Sequence, residues 1–221
     1  MRRNSLAIGE YYHICGRASA KNLYRGERDY LRFLFNILYF QSDKRFYNIS
    51  RYVDNYQEDR NFGIDDSTIK EVVENRSVAV AAFCLMPNHY HLIVKNISSG
   101  GISRYMQRVL TGYSRFFHTK HDTSGHVFAG SYNLIRVRSD KQMQYLLTYV
   151  HKNPKELLQW RDNYTKYPWS SCRYVQSDRW SRLLDDSIIT DQFDSFTGYK
   201  KFLNQSSAKG IDATTYKTPA V

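Results

Sequence analysis

The spacing of apolar and polar residues changes period several times along this chain. Residues 10–17 (EYYHICGR) are a short aromatic and β-branched run ending next to a glycine, which predicts a strand. Over 25–40, Tyr30, Phe33, Leu34, Ile37 and Leu38 fall at helical spacing. The stretch 46–66 is polar and irregular, with weak strand character over 47–53, and 67–75 reads as a short helix. Residues 77–86 (SVAVAAFCLM) are apolar almost throughout and predict a buried strand, which Pro87-Asn88 turns into a second strand beginning HYHLIV.

Gly100-Gly101 breaks the pattern. From 102 to 118, Ile102, Tyr105, Met106, Val109, Leu110, Tyr113, Phe116 and Phe117 draw one helical stripe, with Arg104, Arg108 and Arg115 together on the opposite side. Ser124-Gly125 leads into a strand expected over 126–137, with Gly130 as a candidate bulge. Ser139 and Asp140 are N-cap candidates for a helix over 141–153 with a core face of Met143, Leu146, Leu147 and Val150, and Pro154 ends it. Beyond Tyr174 the pattern weakens, and the last residues (QSSAKGIDATTYKTPAV) read as a flexible tail. The element order predicts an α+β sandwich in which helices cover one face of a mainly antiparallel sheet.

Composition narrows the class of protein. With 221 residues, 42% hydrophobic and 15% aromatic, the chain is long and apolar enough for a folded domain. Lys and Arg number 32 against 21 Asp and Glu, a formal charge of +11, which favours a polyanionic partner and above all nucleic acid. Cys15, Cys84 and Cys172 are far apart and form no C-x-x-C pair, so neither a disulfide framework nor a cysteine zinc site is expected. The basic start Met1-Arg2-Arg3-Asn4-Ser5 precedes no long apolar stretch, so neither signal peptide nor membrane span is expected, and the location is read as cytoplasmic.

Candidate chemistry begins at MPNHYHLIV. His89 and His91 are two apart on a strand and so share a face, where they form either half of a metal site or two polar groups on a solvated surface. The other half has to come from elsewhere. Tyr113 lies inside an apolar stripe with Phe117 one turn later and belongs to the core. Tyr149 is followed one turn on by Asn153, so a phenol and an amide share a helix face beside the core stripe. Singly, Tyr149 reads as well as an interfacial tyrosine, and Asn153 as a helix C-terminal residue. Two imidazoles and an amide oxygen would make a mixed N/O ligand set suited to Mg²⁺ or Mn²⁺. His151 points to a different helix face and is not assigned as a base.

The segments MPNHYHLIV, SGHVFAGSYNLIRV, LLTYVHKNP and YPWSS occur in that order, and together they resemble the single-tyrosine HUH transposases, most closely the REP-associated branch of the IS200-like family. The resemblance implies a ferredoxin-like HUH-endonuclease fold. It implies a catalytic domain over 8–175 followed by a partly flexible C-terminal extension over 176–221. It also implies His89, His91 and Asn153 as ligands of a divalent metal (Mg²⁺ or Mn²⁺), Tyr149 as nucleophile, and cleavage and rejoining of hairpin-flanked single-stranded DNA through a 5′-phosphotyrosine intermediate. Tyr90 stands where relatives usually carry an aliphatic residue, and Ser131 where an arginine often follows the glycine. Arg104, Arg108 and Arg115, and separately Arg136, Arg138 and Lys141, are the candidate phosphate contacts. The expected partner is single-stranded or hairpin DNA and not a membrane, with the protein a monomer or homodimer. Two rival readings are a domesticated, non-catalytic hairpin-DNA-binding protein and a zinc hydrolase that would need a further His, Asp or Glu ligand.

Overall fold

The computed structural model describes residues 6–174, 182–185, 187–193 and 195–206. The expectations for the basic start at 1–5 and for the tail over 207–221 fall outside the described residues. Four strands, β1 (Tyr11–Arg17), β2 (Val78–Met86), β3 (His89–Asn96) and β4 (Asn133–Arg136), form one sheet in the order β2-β3-β1-β4. Each neighbouring pair is antiparallel. With α1 (Glu27–Tyr39) after β1 and α4 (Gly101–His121) after β3, this is the ferredoxin-like α+β arrangement. Between α1 and β2 the chain adds α2 (Ile49–Asp59) and α3 (Asp66–Glu74); after β4 come α5 (Asp140–Lys152), α6 (Ser187–Gln192) and α7 (Phe196–Gln205).

Helices cover both faces of the sheet, not one. Tyr12, Ile14, Tyr90, Leu92 and Val94 point into a core shared with Leu34, Leu38, Tyr105, Val109 and Tyr113 of α1 and α4. On the other face Ala82, Cys84, Met86 and Ile93 pack against Met143, Leu146, Leu147 and Val150 of α5. The α5 stripe is itself apolar and needs a partner surface, and β2, buried at all nine positions, has apolar side chains to offer on both faces. The outer edge of β2 is covered as well. The Leu85 amide donates to the Trp169 carbonyl at 2.8 Å and the Asp185 amide to the Val80 carbonyl at 2.8 Å, which leaves less strand edge open to foreign pairing.

Several local expectations are corrected. Weak strand character over 47–53 gives way to α2, whose Ile49, Val53 and Tyr56 recur at helical spacing and are buried, with Tyr52 stacked on Phe35 of α1. The strand expected over 126–137 is regular only at β4, and Gly130, at φ +141°, lies in the preceding loop. Beyond Tyr174, α6 and α7 form although the pattern is weak, and Tyr199 and Leu203 of α7 are fully buried beneath α5. Other expectations hold: Ser139 caps α5 by accepting from the Gln142 amide, and Asn153-Pro154 begins a 3₁₀ turn as the α-helix stops.

Candidate active site

The Pro87-Asn88 turn delivers His89 and His91 onto the α5 side of the sheet. His91 lies in register with Cys15 of β1 and Cys84 of β2, and His89 with Arg17 and Met86. The two imidazole centroids are 4.9 Å apart with the rings crossed at 85°. Tyr90, between them, points into the opposite core and is fully buried.

α5 brings Tyr149 to the same place. Leu147 and Val150 bury its core stripe, so residue 149 falls at the rim, half-buried. The phenol ring meets His91 edge-on at 5.2 Å and His13 at 6.1 Å, and Tyr145 stacks on it one turn earlier at 6.2 Å. Burial chiefly, with the nearby Glu156 carboxylate, pushes its phenol above the usual tyrosine value, while the Arg17 guanidinium opposes this. Asn153 is 1% exposed; its Nδ2 donates to the Tyr149 carbonyl at 2.8 Å.

The donor set passes a test that does not depend on any bound ion. Among buried side-chain atoms of the described residues, His91 Nε2 and Asn153 Oδ1 have no hydrogen-bond partner. Such groups are costly to bury unless something satisfies them, and a cation would. His89 Nδ1 lies 2.6 Å from Asn88 Oδ1, and an amide oxygen can only accept. The proton therefore sits on His89 Nδ1 and the lone pair on Nε2, the form that binds metal. Among the described residues no group of three His, Cys, Asp or Glu side chains is arranged to hold a metal. An all-protein site here would depend on the Asn153 oxygen, and the further His, Asp or Glu that a zinc hydrolase needs is not supplied among those residues.

Three residues beside the site were not singled out from the sequence: His13, Asn88 and Arg17. His13 Nε2 contacts His91 Nδ1 at 3.0 Å. Burial lowers His13 to about 4 and, with the neighbouring His13, His89 and Arg17, drives His91 well below the usual histidine value, so both are neutral at pH 7. Arg17 is exposed, across from His89. His13, Cys15 and Arg17 alternate along β1 and so share a face, but which strand that face meets depends on the pairing.

The basic residues named from sequence lie further off. Arg104, Arg108 and Arg115 belong to α4, which packs on the face of the sheet away from Tyr149. Arg104 bonds the Ser99 carbonyl at 2.8 Å, Arg108 bonds the carbonyls of Ser42 and Lys44, and Arg115 is exposed. Arg136 pairs with Glu10 at 2.9 Å, and Arg138 and Lys141 are exposed. Arg136 ends β4, Arg138 lies in the connection to α5, and Lys141, in the first turn of α5, is eight residues, about 12 Å of helix axis, from Tyr149.

Residues 64–153 match the family model "Transposase IS200 like". A solved structure of a REP-associated tyrosine transposase bound to a REP hairpin aligns with 83% of this chain and 88% of its own, at 13% identity and a TM-score of 0.50. That likeness is one of fold. No curated protein matches the chain. No helix among the described residues is long and apolar enough to cross a membrane.

Proposed function

We propose that the protein cuts and rejoins hairpin-flanked single-stranded DNA through Tyr149, a reading supported by the match of residues 64–153 to the IS200-like transposase family model. The observation that carries this reading is the packing of the Tyr149 ring edge-on at 5.2 Å from His91, whose Nε2 is buried without a partner. His89, His91 and Asn153 would hold a divalent cation, Mg²⁺ or Mn²⁺ by their mixed N/O chemistry. Such a cation, when bound, supplies positive charge to the non-bridging oxygens of a phosphate.

Tyr149 Oη attacks phosphorus, the Oη–P bond forms and the P–O3′ bond breaks. The phenol gives up its proton and the departing 3′ oxygen takes one up, leaving a 5′-phosphotyrosine and a free 3′-OH. One phosphodiester is exchanged for another, so rejoining needs no nucleotide cofactor. Burial disfavours the phenolate, so attack depends on positive charge near Oη, to which Arg17 contributes. The Leu147 and Val150 anchors and the Tyr145 stack restrict where the phenol can go, which favours attack by positioning.

The test is incubation with a single-stranded hairpin oligonucleotide and Mn²⁺. A covalent protein–DNA adduct lost in Tyr149→Phe is the expected result; an adduct that persists in that variant sinks the assignment. Hairpin binding with no adduct in the wild type would favour a non-catalytic DNA-binding protein, and cleavage without a tyrosine link a hydrolase.

A further inference from the structure

His13 lies outside the family match and is on no catalytic assignment above, yet its Nε2 stands 3.0 Å from His91 Nδ1. The two rings are nearly parallel, at 13°, with centroids 5.2 Å apart. The 3.0 Å Nε2···Nδ1 distance plus the two ring radii accounts for that separation, so the imidazoles meet edge to edge and not face to face. This is the in-plane geometry of a hydrogen bond at a ring lone pair. Both side chains are 5% exposed, and both outer nitrogens, His13 Nδ1 and His91 Nε2, are without a partner.

A neutral imidazole carries one N–H, so only one of the pair can donate across the contact. Were His13 the donor, the His91 proton would sit on Nε2 and close that nitrogen to a cation. With His91 as donor, its proton sits on Nδ1 and the Nε2 lone pair stays open. That is the same tautomer as His89, whose Nδ1 is held by Asn88 Oδ1. Nor is His13 a plausible extra ligand, because His13, His89 and His91 are not arranged as a three-donor metal group.

We propose that His13 is a positioning residue that accepts the Nδ1 proton of His91 and so fixes the tautomer in which His91 Nε2 presents a lone pair to a cation. The direction of this hydrogen bond and the use of that lone pair rest on the metal reading above, whereas the 3.0 Å contact itself does not. Ring nitrogens that ligate metals are commonly oriented by such a partner on the other nitrogen, and loss of the partner lowers metal affinity 10- to 100-fold. Here the partner is another histidine on the neighbouring strand, and the β1–β3 register brings it within reach.

Long-range ¹H–¹⁵N spectra of metal-free protein with ¹⁵N-labelled histidine, at pH 7, report which ring nitrogen of His91 is protonated. The expected result is an Nδ1–H tautomer in the wild type, lost in His13→Leu and kept in His13→Gln, whose Oε1 can accept the same proton. Mn²⁺ titration should follow, with affinity down about tenfold in His13→Leu and mostly restored in His13→Gln. An Nε2–H tautomer in the wild type would overturn the proposal without recourse to any variant. So would a His91 tautomer unchanged in a folded His13→Leu. An Nδ1–H tautomer that depends on His13 in a protein that binds no Mn²⁺ would support the role of His13 and count against the metal reading alone.

Discussion

The phenol oxygen of Tyr90 lies 2.5 Å from the point where a Cβ on Gly16 would stand. The two residues are register partners across β1 and β3, and the tyrosine is the middle residue of the histidine triplet. Its ring is fully buried against Phe33 and Phe128, so it cannot swing clear. Gly16→Ala should therefore cost about 1–3 kcal/mol through overpacking. It should also lower adduct formation, since any shift of Tyr90 moves the histidines on either side. A denaturant titration of Gly16→Ala beside Gly16→Ala/Tyr90→Leu checks this: the double variant should recover part of the loss, and no recovery would mean that the clash is not the cause.

Two arginines with opposite roles can be separated by salt. Arg17 is exposed beside His89, and Arg17→Ala should weaken hairpin binding and reduce the slope of log affinity against log salt by about 1. Arg108 instead ties α4 to the loop after α1, through the Ser42 and Lys44 carbonyls and a cation–π contact with Phe40 at 4.8 Å. Arg108→Ala should lower stability by about 1–2 kcal/mol and leave the salt slope unchanged. A reduced slope in Arg108→Ala would return that residue to the DNA-binding set.

Acid should loosen the second core. His151 is fully buried between the Tyr199 hydroxyl and Ser171 Oγ at 2.8 Å, and burial lowers it to about 3. The unfolded chain takes up this proton near pH 6.5, so it binds more protons than the native state between 6.5 and about 3. Stability is complete above 6.5 and falls as pH drops through that window, by up to about 1.4 kcal/mol per pH unit. Urea midpoints at pH 7 and pH 5 should show the fall. In His151→Gln the pH dependence should be reduced but not abolished, because His13, held at about 4, acts in the same direction.

Asp29 is a buried carboxylate on α1, held by Lys120 at 2.6 Å, His121 at 3.0 Å and the Arg25 amide at 2.7 Å. Its removal unties the far end of α4 and leaves those donors without their acceptor. Asp29→Ala should lose about 3 kcal/mol, read as a lower thermal midpoint. Since α4 lies across the sheet from Tyr149, the variant should still form the covalent adduct at temperatures where it remains folded.

The elements with strong periodicity were legible in the sequence. The stripe from Ile102 to Phe117 became α4, the apolar run before Pro87 became β2, and Ser139 and Pro154 bounded α5. The helix α2 is not legible in the sequence because its apolar residues are sparse and its stability comes from packing on α1, as in the Phe35–Tyr52 stack. The same holds for α7, where Tyr199 and Leu203 are apolar anchors only once they pack against α5.

At the candidate site the division is sharper. Local chemistry by itself determined that His89 and His91 share a strand face and that Tyr149 and Asn153 share a helix face, because the periods of strand and helix need no partner to be read. What brought these two faces together was tertiary structure: α5 folding back onto the sheet face opposite α1 and α4, to bury its own apolar stripe. Only the pairing of β1 with β3 decided that His13, far off in the chain, would stand 3.0 Å from His91. Strand register is set by how whole faces pack, and a one-residue slip would have turned His13 to the other side of the sheet.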